Sequence, residues 1–300
     1  MSFRFNFGNT DEPEQPEQTV STVELVESRR VFPPSTANVN LFSLRNPTSQ
    51  LNQPTPAKEV IGECIRLTPT LLLYRRCLAD VKLDVAQDQS ESEWVDKVML
   101  DNTDLIDGVY EGGFKTWECS LDLAEYLSAE FTEDWFVGNG RWSWVVEARC
   151  RGCINELVIK LVTMPNTLLN SFARPAAEVI DERGAFEVDV DLAQIQNLQC
   201  GFFCGDWGSL VEFIYLLYDL ILTSETIYST ESHLRLHNVL KRSLKRDGNV
   251  LIAAKKTYFG CSGDLQQFMM LVQREGVFKS EVVREFTSGV HRVIVRLSFA

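Results

Sequence analysis

Residues 218–259, YDLILTSETIYSTESHLRLHNVLKRSLKRDGNVLIAAKKTYF, decide the fold of this chain. They begin with an apolar run, 218–228, that is typical of a buried strand and ends in polar residues. A helical pattern with a basic last turn follows over 229–248, and Gly248 is predicted to end that helix. A second apolar run, 249–259, predicts another buried strand. The stretch therefore indicates a strand–helix–strand unit.

The same alternation continues on both sides of that unit. Strand patterns lie at 186–192 and 200–206, a helix is predicted at 263–278, and an alternating strand pattern closes the chain at 290–300. Apolar strands that alternate with helices are typical of a parallel sheet covered on both faces. In such sheets ligands bind outside the carboxyl ends of the strands, so polar residues at strand ends are the first candidates for a site.

The first part of the chain has a different composition. Residues 1–58 are rich in Pro, Gln, Glu, Asn, Thr and Ser and cannot bury enough apolar area to offset the entropy of ordering, so we predict a disordered acidic tail. Residues 59–98 are short mixed segments, which we predict to be an extension that packs on the core. Residues 99–300 are assigned to the α/β domain.

Composition and charge limit the classes of function. Apolar residues make up 45% of the 300 residues, an ordinary fraction for a globular core. The net charge of -13 is unfavourable for nucleic acid or anionic membrane and favours a basic protein partner. We find neither a signal-peptide pattern nor an apolar run of the roughly 20 residues that a membrane span needs. Without a secretory signal, the eight cysteines favour reduced thiols in the cytosol or nucleus.

Three predicted strand ends bring polar and aromatic side chains to one edge of the sheet. At the first of them a glycine for close approach, an acid and an indole could hold a heterocycle and its polar edge. Each group can equally be a turn with a packing aromatic, and the pattern alone favours neither interpretation. The groups are residues 204–207 (CGDW), residues 223–225 (TSE) with Tyr228, and Lys255, Lys256, Tyr258 and Phe259.

Other chemical motifs are weak or missing in the sequence. His233 and His237 are four residues apart on a predicted helix, a spacing that suits a metal, but no third ligand follows and we predict surface histidines. Cys150 and Cys153 lack a second cysteine pair, so we expect no zinc site. The sequence has no motif of nucleotide kinases, α/β hydrolases or dinucleotide enzymes. We therefore predict no metal site.

Several motifs between residue 109 and the end of the chain resemble one known family. That family is the eukaryotic protein-histidine N-methyltransferases, and the motifs occur here in the same order as in the family. The resemblance implies an α/β fold with a Rossmann-like seven-strand methyltransferase sheet, mostly parallel, whose last strand is antiparallel. The motifs are VYEGGFKTWECSLDLAEYL (109–127), VTMPNTLLN (162–170), GDW (205–207), DLILTSETIY (219–228), AAKKTYFGCSGD (253–264) and the terminal SFA.

The resemblance also implies roles for single residues. The family's methyl donor is S-adenosyl-L-methionine; the segment before the sheet would line it, the GDW turn would cup its adenine, and a serine at the fourth strand would close the site. Glu225 and Tyr228 are the catalytic candidates, for orienting the acceptor imidazole or taking its proton. The implied cofactor-binding residues are Thr116, Trp117, Glu118, Cys119, Ser120, Gly205, Asp206, Trp207 and Ser224.

The implied reaction is methyl transfer to a histidine of a large-subunit ribosomal protein. Such a substrate is basic, which agrees with the acidic charge of the chain. The acceptor imidazole must be neutral, its usual state near neutral pH, and it must be aligned with the bond to the methyl group. We expect a monomer in the cytoplasm and nucleus that contacts neither nucleic acid nor membrane directly. The alternative is a catalytically inactive methyltransferase-fold binding module that keeps the surface for the protein partner.

One part of the family pattern is missing between residues 138 and 162. The family has a strand that ends in Glu-Leu-Gly-Cys-Gly and a later strand that ends in an acid, which hold the methionine part and the ribose of the cofactor, as in dinucleotide sites. Residues 141–154 show no period, and Cys153 stands in place of the acid. Residues 142–147 can be encoded by a nucleotide sequence that contains the family motif in another reading frame. Translation of that sequence from its third nucleotide gives Glu-Leu-Gly-Cys-Gly. We therefore expect either a gene-model or splicing error or a real loss of the loop, with a sheet that is incomplete around its first two strands.

Overall fold

A computed structural model of the chain describes residues 29–30, 58–69, 71–87, 113–131, 143–147, 158–171, 179–191, 203–204, 207 and 217–300. The strands are β1 (Arg29–Arg30), β2 (Lys58–Arg66), β3 (Leu72–Arg76), β4 (Ser143–Glu147), β5 (Ala185–Val190), β6 (Phe203–Cys204), β7 (Tyr218–Ser224), β8 (Leu244–Lys255), β9 (Phe278–Phe286) and β10 (Arg292–Phe299). The helices are α1 (Leu78–Gln87), α2 (Glu118–Glu130), α3 (Met164–Ser171), α4 (Thr230–Ser243) and α5 (Leu265–Glu275), and a π-helical turn, Ile159–Thr163, leads into α3.

The largest sheet of the described residues has five strands in the order β4-β7-β8-β10-β9. β4, β7 and β8 are parallel neighbours, whereas β10 is antiparallel to both β8 and β9. The last strand of the chain therefore lies inside the sheet and runs against its neighbours. The predicted α/β sheet, mostly parallel with an antiparallel last strand, is confirmed.

Helices cover both faces of the sheet around β8. Residues 250–254 of this strand are all 1% exposed or less. Ile252 belongs to a core cluster with Phe268 of α5, whereas the next residue, Ala253, belongs to a cluster with Cys119 of α2. Since alternate residues of a strand face opposite sides, both faces must be apolar, and this explains the continuous apolar run in the sequence.

The prediction that Gly248 ends a helix is wrong. Helix α4 ends at Ser243 and β8 begins at once, at Leu244, so Gly248 lies inside a strand. A Cβ atom there would lie 2.9 Å from the carbonyl oxygen of Tyr218 and 3.0 Å from that of Asp219. Glycine is needed because the backbones of β7 and β8 approach closely where their register shifts.

The helix predicted at 263–278 is confirmed as α5, with clear signals at both ends. The side chain of Asp264 accepts a hydrogen bond of 2.8 Å from the backbone N–H of Gln267, and Gly276 ends the helix with a left-handed φ of 63°. The strand pattern at 290–300 is confirmed as β10. The sequence pattern did not predict β9, because this edge strand is mostly exposed and carries no apolar run.

A second sheet of the described residues is antiparallel, in the order β3-β2-β5. The pattern at 186–192 does form a strand, β5, but its expected place in the parallel sheet is wrong, since β5 pairs with β2. The reason is its alternation: Phe186 and Val190 are buried while Glu187 is exposed, as in a sheet with one wet face. Helix α3 covers the dry face with Leu168 and its neighbours.

Two asparagines of the motif VTMPNTLLN join α3 to the outer edge of this sheet. Asn170 accepts a hydrogen bond of 3.0 Å from the N–H of Tyr74 and donates one of 2.7 Å to its carbonyl oxygen. Asn166 accepts a hydrogen bond of 2.7 Å from the N–H of Arg76. The amides thus satisfy backbone groups that a neighbouring strand would otherwise pair, so this motif has a structural role.

Residues 141–154, whose sequence shows no hydrophobic periodicity, contain a strand. β4 runs parallel to β7, with Glu147 opposite Ser224, and its Trp-Val-Val run favours extended backbone. The sheet position beside β7 is therefore filled, and β4 is the outermost strand on this side among the described residues. Residues 138–142 and 148–157, where the glycine loop and the acid are sought, lie outside the described residues. So does the predicted tail, apart from residues 29–30, which pair with β6, and residue 58.

Candidate functional site

The candidate site lies where β7 and β8 end, beside the first turn of α2. Ser224 is the last residue of β7 and pairs with Ala253, two residues before β8 ends at Lys255. The hydroxyl of Ser120 donates a hydrogen bond of 3.1 Å to that of Ser224. The segment before the sheet and the end of β7, both predicted to line a cofactor, are therefore neighbours.

Glu225 follows β7 in a strained turn. Its φ is 56°, in the left-handed region, and no other residue except glycine has a positive φ in the described part of the chain. Its N–H donates to the carbonyl oxygen of Ala253 at 3.0 Å, and the buried hydroxyls of Thr223 and Thr226 share a hydrogen bond of 2.8 Å across the turn. Such strain persists only where the surroundings impose it, and it is found most often at functional sites.

The carboxylate of Glu225 is buried and incompletely satisfied. The residue is 8% exposed, and its Oε1 atom makes no hydrogen bond with the described part of the chain. The nearest cation is the ammonium of Lys255, whose Nζ lies 3.4 Å from that oxygen. Because this oxygen makes an ion pair without a hydrogen bond among the described residues, it can still accept a hydrogen bond from a ligand.

Lys255 connects the strand ends to α2. Its Nζ atom lies 3.7 Å from Oε2 of Glu118 and 4.4 Å from the centre of the Trp117 ring, in a cation–π arrangement. Trp117 is 37% exposed, so part of its indole remains open beside the ammonium. An open indole, two carboxylates and a cation thus share one edge of the sheet.

Two further ionisable side chains beside Glu225 remain neutral. Burial, followed by the negative charge of Glu225, raises the pKa of Tyr258, and the same two causes raise the pKa of Cys119. Cys119 is therefore a thiol and a poor nucleophile, since the thiolate is the reactive form. Tyr258 stays a phenol, whose oxygen accepts a hydrogen bond of 3.3 Å from the N–H of Lys255.

Tyr228 stands next to Tyr258 at the same edge. The two rings meet edge to face, with centroids 6.4 Å apart. The carbonyl oxygen of Tyr228 accepts a hydrogen bond of 2.7 Å from the N–H of Gly263, which ties the loop after β8 to the turn after β7. A Cβ atom on Gly263 would lie 2.7 Å from the carbonyl oxygen of Ile227, so glycine permits this approach.

The structure brings most of the predicted site residues together. Gly205 and Asp206 lie outside the described residues. Trp207 is 3% exposed and belongs to a core cluster with Ile221 and Ile227, a position that suits the alternative of a packing aromatic; its contact with adenine stays a prediction. Thr116 is exposed and directly precedes the predicted residues that meet at this edge, which are Trp117, Glu118, Cys119, Ser120, Ser224, Glu225 and Tyr228.

Lys255 and Tyr258 lie in the site, but the sequence alone assigns them neither a catalytic nor a cofactor-binding role. Both follow the third predicted strand, and their position was the available signal, although nothing in the pattern distinguished them from their neighbours. Those neighbours turn elsewhere: Lys256 pairs with Glu285 at 3.2 Å, and Phe259 is 85% exposed. The difference between adjacent residues appears only in the folded chain.

The predicted surface histidines are buried, so that prediction is wrong. His233 and His237 are 5% and 1% exposed, because they share a helix face with Leu236 and Leu240, at the spacing that faces a core. His233 Nε2 bonds to the carbonyl oxygen of Ile227 at 2.8 Å, whereas the ring nitrogens of His237 meet no well-aligned hydrogen-bond partner among the residues that the structure describes, although Asn238 is adjacent. Burial lowers the pKa of both rings. The described residues hold no group of three side chains suited to a metal.

No helix within the described ranges combines the length and apolar character of a membrane span. Comparison with known proteins gave no matching family model. A curated relative from Rattus norvegicus, histidine protein methyltransferase 1 homolog, is 35% identical over 216 residues, which cover 66% of this chain. The chain spans only 59–61% of the length of the rat, bovine and mouse relatives.

A more complete match is histidine protein methyltransferase 1 of Schizosaccharomyces pombe. It is 30% identical over 288 residues, which cover 78% of this chain and 83% of that protein. A solved TehB-like SAM-dependent methyltransferase from Corynebacterium glutamicum is 13% identical, covers 61% of this chain and 97% of that chain, and has a TM-score of 0.32, from which we draw no argument. The sequence relatives establish that the chain belongs to the histidine protein methyltransferase 1 family.

Proposed function

We propose that this chain is a protein-histidine N-methyltransferase that uses S-adenosyl-L-methionine. The proposal rests on the edge of the sheet where the hydroxyl of Ser120 is hydrogen-bonded to that of Ser224. The strained and buried Glu225 directly follows Ser224 in the chain. Family membership supports the proposal, because the relatives are named as histidine protein methyltransferases. Since the chain spans only part of the mammalian relatives, their activity enters here as a proposal.

The residues at this edge suit a cationic donor. When bound, S-adenosyl-L-methionine supplies a methyl group on a positively charged sulfur. The part-exposed indole of Trp117 and the carboxylate of Glu118, which lie beside the ammonium of Lys255, offer an aromatic face and negative charge to such a group. In the proposal the residues from Thr116 to Ser120, together with Ser224, hold the donor at the carboxyl ends of the strands.

Glu225 orients the acceptor in this proposal. A neutral imidazole has one N–H and one lone pair, and a carboxylate that accepts the N–H leaves the other nitrogen free to attack the methyl group. The donor would supply a methyl group to that nitrogen, and the ring would carry a positive charge until its N–H proton leaves. The buried carboxylate of Glu225 stabilises that charge and can take the proton.

Tyr228 and Tyr258 complete the acceptor side of the proposal. Their rings meet edge to face, and both belong to segments that leave the carboxyl ends of β7 and β8. Tyr258 keeps its proton, because burial and the charge of Glu225 raise its pKa, so its hydroxyl can donate a hydrogen bond. The two rings would flank the imidazole ring and exclude water from it.

The substrate in the proposal is a basic protein of the large ribosomal subunit, methylated in the cytoplasm or nucleus. The net charge of -13 supports a basic partner, since opposite charge speeds encounter and opposes acidic competitors. The identity of the ribosomal protein class comes from the resemblance of the motifs. The chain is proposed to act as a monomer.

A second candidate function is a catalytically inactive binding module. The sequence over 141–154 favours it, because the glycine loop and the ribose acid are missing there. Each lost hydrogen bond to a buried or charged group costs about 1–3 kcal/mol, so several would weaken donor binding by orders of magnitude. The cDNA across the codons for residues 138–163 separates the explanations. Transcripts that encode a glycine-rich loop indicate an error in the sequence, whereas abundant transcripts with the present frame indicate a real loss.

The proposed activity is tested with the 300-residue chain, isotope-labelled S-adenosyl-L-methionine at saturating concentration and purified large-subunit ribosomal proteins. Mass spectrometry is expected to find one added methyl group on a histidine. If the chain binds a ribosomal protein without methylating it, the inactive module is correct. Methylation of a residue type other than histidine would contradict the proposed acceptor.

A further inference from the structure

The ammonium group of Lys255 lies between the two halves of the site. Its Nζ atom is 3.4 Å from Oε1 of Glu225 on the acceptor side. On the donor side it is 3.7 Å from Oε2 of Glu118 and 4.4 Å from the centre of the Trp117 ring. The Lys255 side chain is 15% exposed, so this cation is largely withdrawn from water. A desolvated lysine needs these partners to remain charged.

Glu225 has one cation, Lys255, and two neutral hydrogen-bonding side chains, Tyr258 and Cys119, among its described neighbours. The charged and titratable groups that face it are Lys255 at the end of β8, Tyr258 in the following loop, and Glu118 and Cys119 in α2. Among these groups Lys255 alone is a cation. Tyr258 and Cys119 are neutral, because burial and then the charge of Glu225 raise their pKa values. The buried carboxylate therefore has one countercharge among them.

We propose that Lys255 is a positioning residue, which keeps Glu225 ionised and holds it opposite Trp117 and Glu118. The inference rests on the proposed function and names a determinant of the same site. An ionised Glu225 accepts the N–H of the acceptor imidazole. A protonated Glu225 would instead donate to the lone pair that must attack the methyl group. The charge on Glu225 thus decides whether the reacting nitrogen is free, and Lys255 sets that charge.

The test replaces Lys255 with methionine, which keeps the apolar length of the side chain and removes the charge. Without a countercharge the buried carboxyl group favours its protonated form. Infrared spectra of the unliganded proteins near neutral pH are expected to show the carbonyl stretch of a protonated carboxyl group in Lys255→Met, and not in the wild type. The band should be absent from Lys255→Arg and from the double variant Lys255→Met/Glu225→Gln.

Lys256→Met is the matched control. Lys256 is the next residue, but its Nζ atom pairs with Glu285 at 3.2 Å, and its side chain is 39% exposed. The spectrum of Lys256→Met should match that of the wild type. A natively folded Lys255→Met protein without the protonated-carboxyl band would overturn the proposal. If Lys255→Met lacks a native circular dichroism spectrum, Lys255→Gln is measured in its place with the same two outcomes.

A kinetic measurement separates this inference from the proposed function. With a methyl-accepting histidine protein, Lys255→Met should lower kcat near neutral pH by about a hundredfold, as for loss of an acid–base group, and Lys255→Arg should restore it. The acid limb of the pH profile should move to higher pH in Lys255→Met. Absence of methyl transfer by the wild type would reject the proposed function and leave the infrared result standing. A normal pH profile in Lys255→Met would reject the role of Lys255 alone.

Discussion

The hydroxyl of Ser120 donates a hydrogen bond of 3.1 Å to the hydroxyl of Ser224, a residue 104 positions later in the chain. This contact joins the first turn of α2 to the last residue of β7. Glu225 follows directly, and its left-handed backbone turns the chain away from the sheet. The serine pair therefore links the first turn of α2 to the turn that contains Glu225.

Replacement of either serine by alanine should reduce the free energy of unfolding by about 0.5–1.5 kcal/mol, the net value of one hydrogen bond. Because the two hydroxyls contact each other, the double variant should lose less than the sum of the single variants. Urea unfolding of Ser120→Ala, Ser224→Ala and the double variant gives this coupling. Ser128→Ala is a control for the loss of a serine hydroxyl outside this pair, because the Ser128 hydroxyl donates its hydrogen bond to the carbonyl oxygen of Glu125. Strictly additive losses would show that the serines do not interact.

The ion pair between Asp122 and Arg292 should anchor α2 to β10. Two hydrogen bonds join them, Nε to Oδ2 at 2.5 Å and Nη2 to Oδ1 at 3.3 Å, and each side chain is 12% exposed. Arg292→Met should reduce the free energy of unfolding by about 3 kcal/mol, because it leaves a largely buried carboxylate without its partner.

The double variant Asp122→Leu/Arg292→Met should be more stable than Arg292→Met alone, since no unpaired charge remains. Arg274→Met provides the comparison at the surface, where the pair with Glu275 is exposed and worth at most about 1 kcal/mol. Equal losses for Arg292→Met and Arg274→Met would contradict the anchoring role.

The strands were predictable where burial is two-sided. The apolar runs of β7 and β8 reflect a sheet with helices on both faces, and β10 is also buried on both faces, since Val293 and Val295 belong to one core cluster and Ile294 to another. The exposed edge strand β9 has no such signal. Gly248 misled the prediction, because glycine serves equally to end a helix and to let two backbones approach, and only the partner strand distinguishes these uses.

The site was predictable as a set of motifs but not as an arrangement. The resemblance named Trp117 and Glu118, and Glu225 was a candidate for the acceptor side, yet only the fold shows that Lys255 lies between them. A contact between residues so far apart in the chain leaves no periodic pattern in the sequence. The burial of His237, by contrast, could have been predicted from its spacing to the leucines of the same helix face.

His237 should make the stability of the protein depend on pH. Burial lowers its pKa, so the unfolded chain binds a proton more readily than the folded protein. The stability that neutral His237 permits is fully present above the ordinary histidine value of about 6.5 and is lost as the pH falls below it. His233, whose pKa burial also lowers, acts in the same direction.

Urea unfolding of the wild type and His237→Leu between about pH 5 and pH 8 measures this effect. The wild type should lose stability toward acid pH more steeply than His237→Leu, which has one buried imidazole fewer. Parallel pH profiles for the two proteins would show that His237 does not resist protonation in the folded state.

Tyr228→Phe should separate turnover from donor binding. The ring contact with Tyr258 is kept and only the hydroxyl is lost. We expect kcat on a histidine-containing protein to fall about tenfold, equivalent to one hydrogen bond in the transition state, with the affinity for S-adenosyl-L-methionine unchanged. Calorimetry and initial rates measure the two quantities, with Tyr126→Phe in α2 as a control. An unchanged kcat would leave Tyr228 with a packing role.

Glu225 is proposed to act on the acceptor at the carboxyl edge of the sheet, and the variant Glu225→Gln removes its charge while keeping its size. The measurement is kcat for methyl transfer to histidine together with the dissociation constant of the donor, for the wild type, Glu225→Gln and the exposed control Glu187→Gln. If Glu225 has this role, kcat should fall about a hundredfold for Glu225→Gln, with donor affinity nearly unchanged and the control like the wild type. A Glu225→Gln enzyme with wild-type kcat would contradict it.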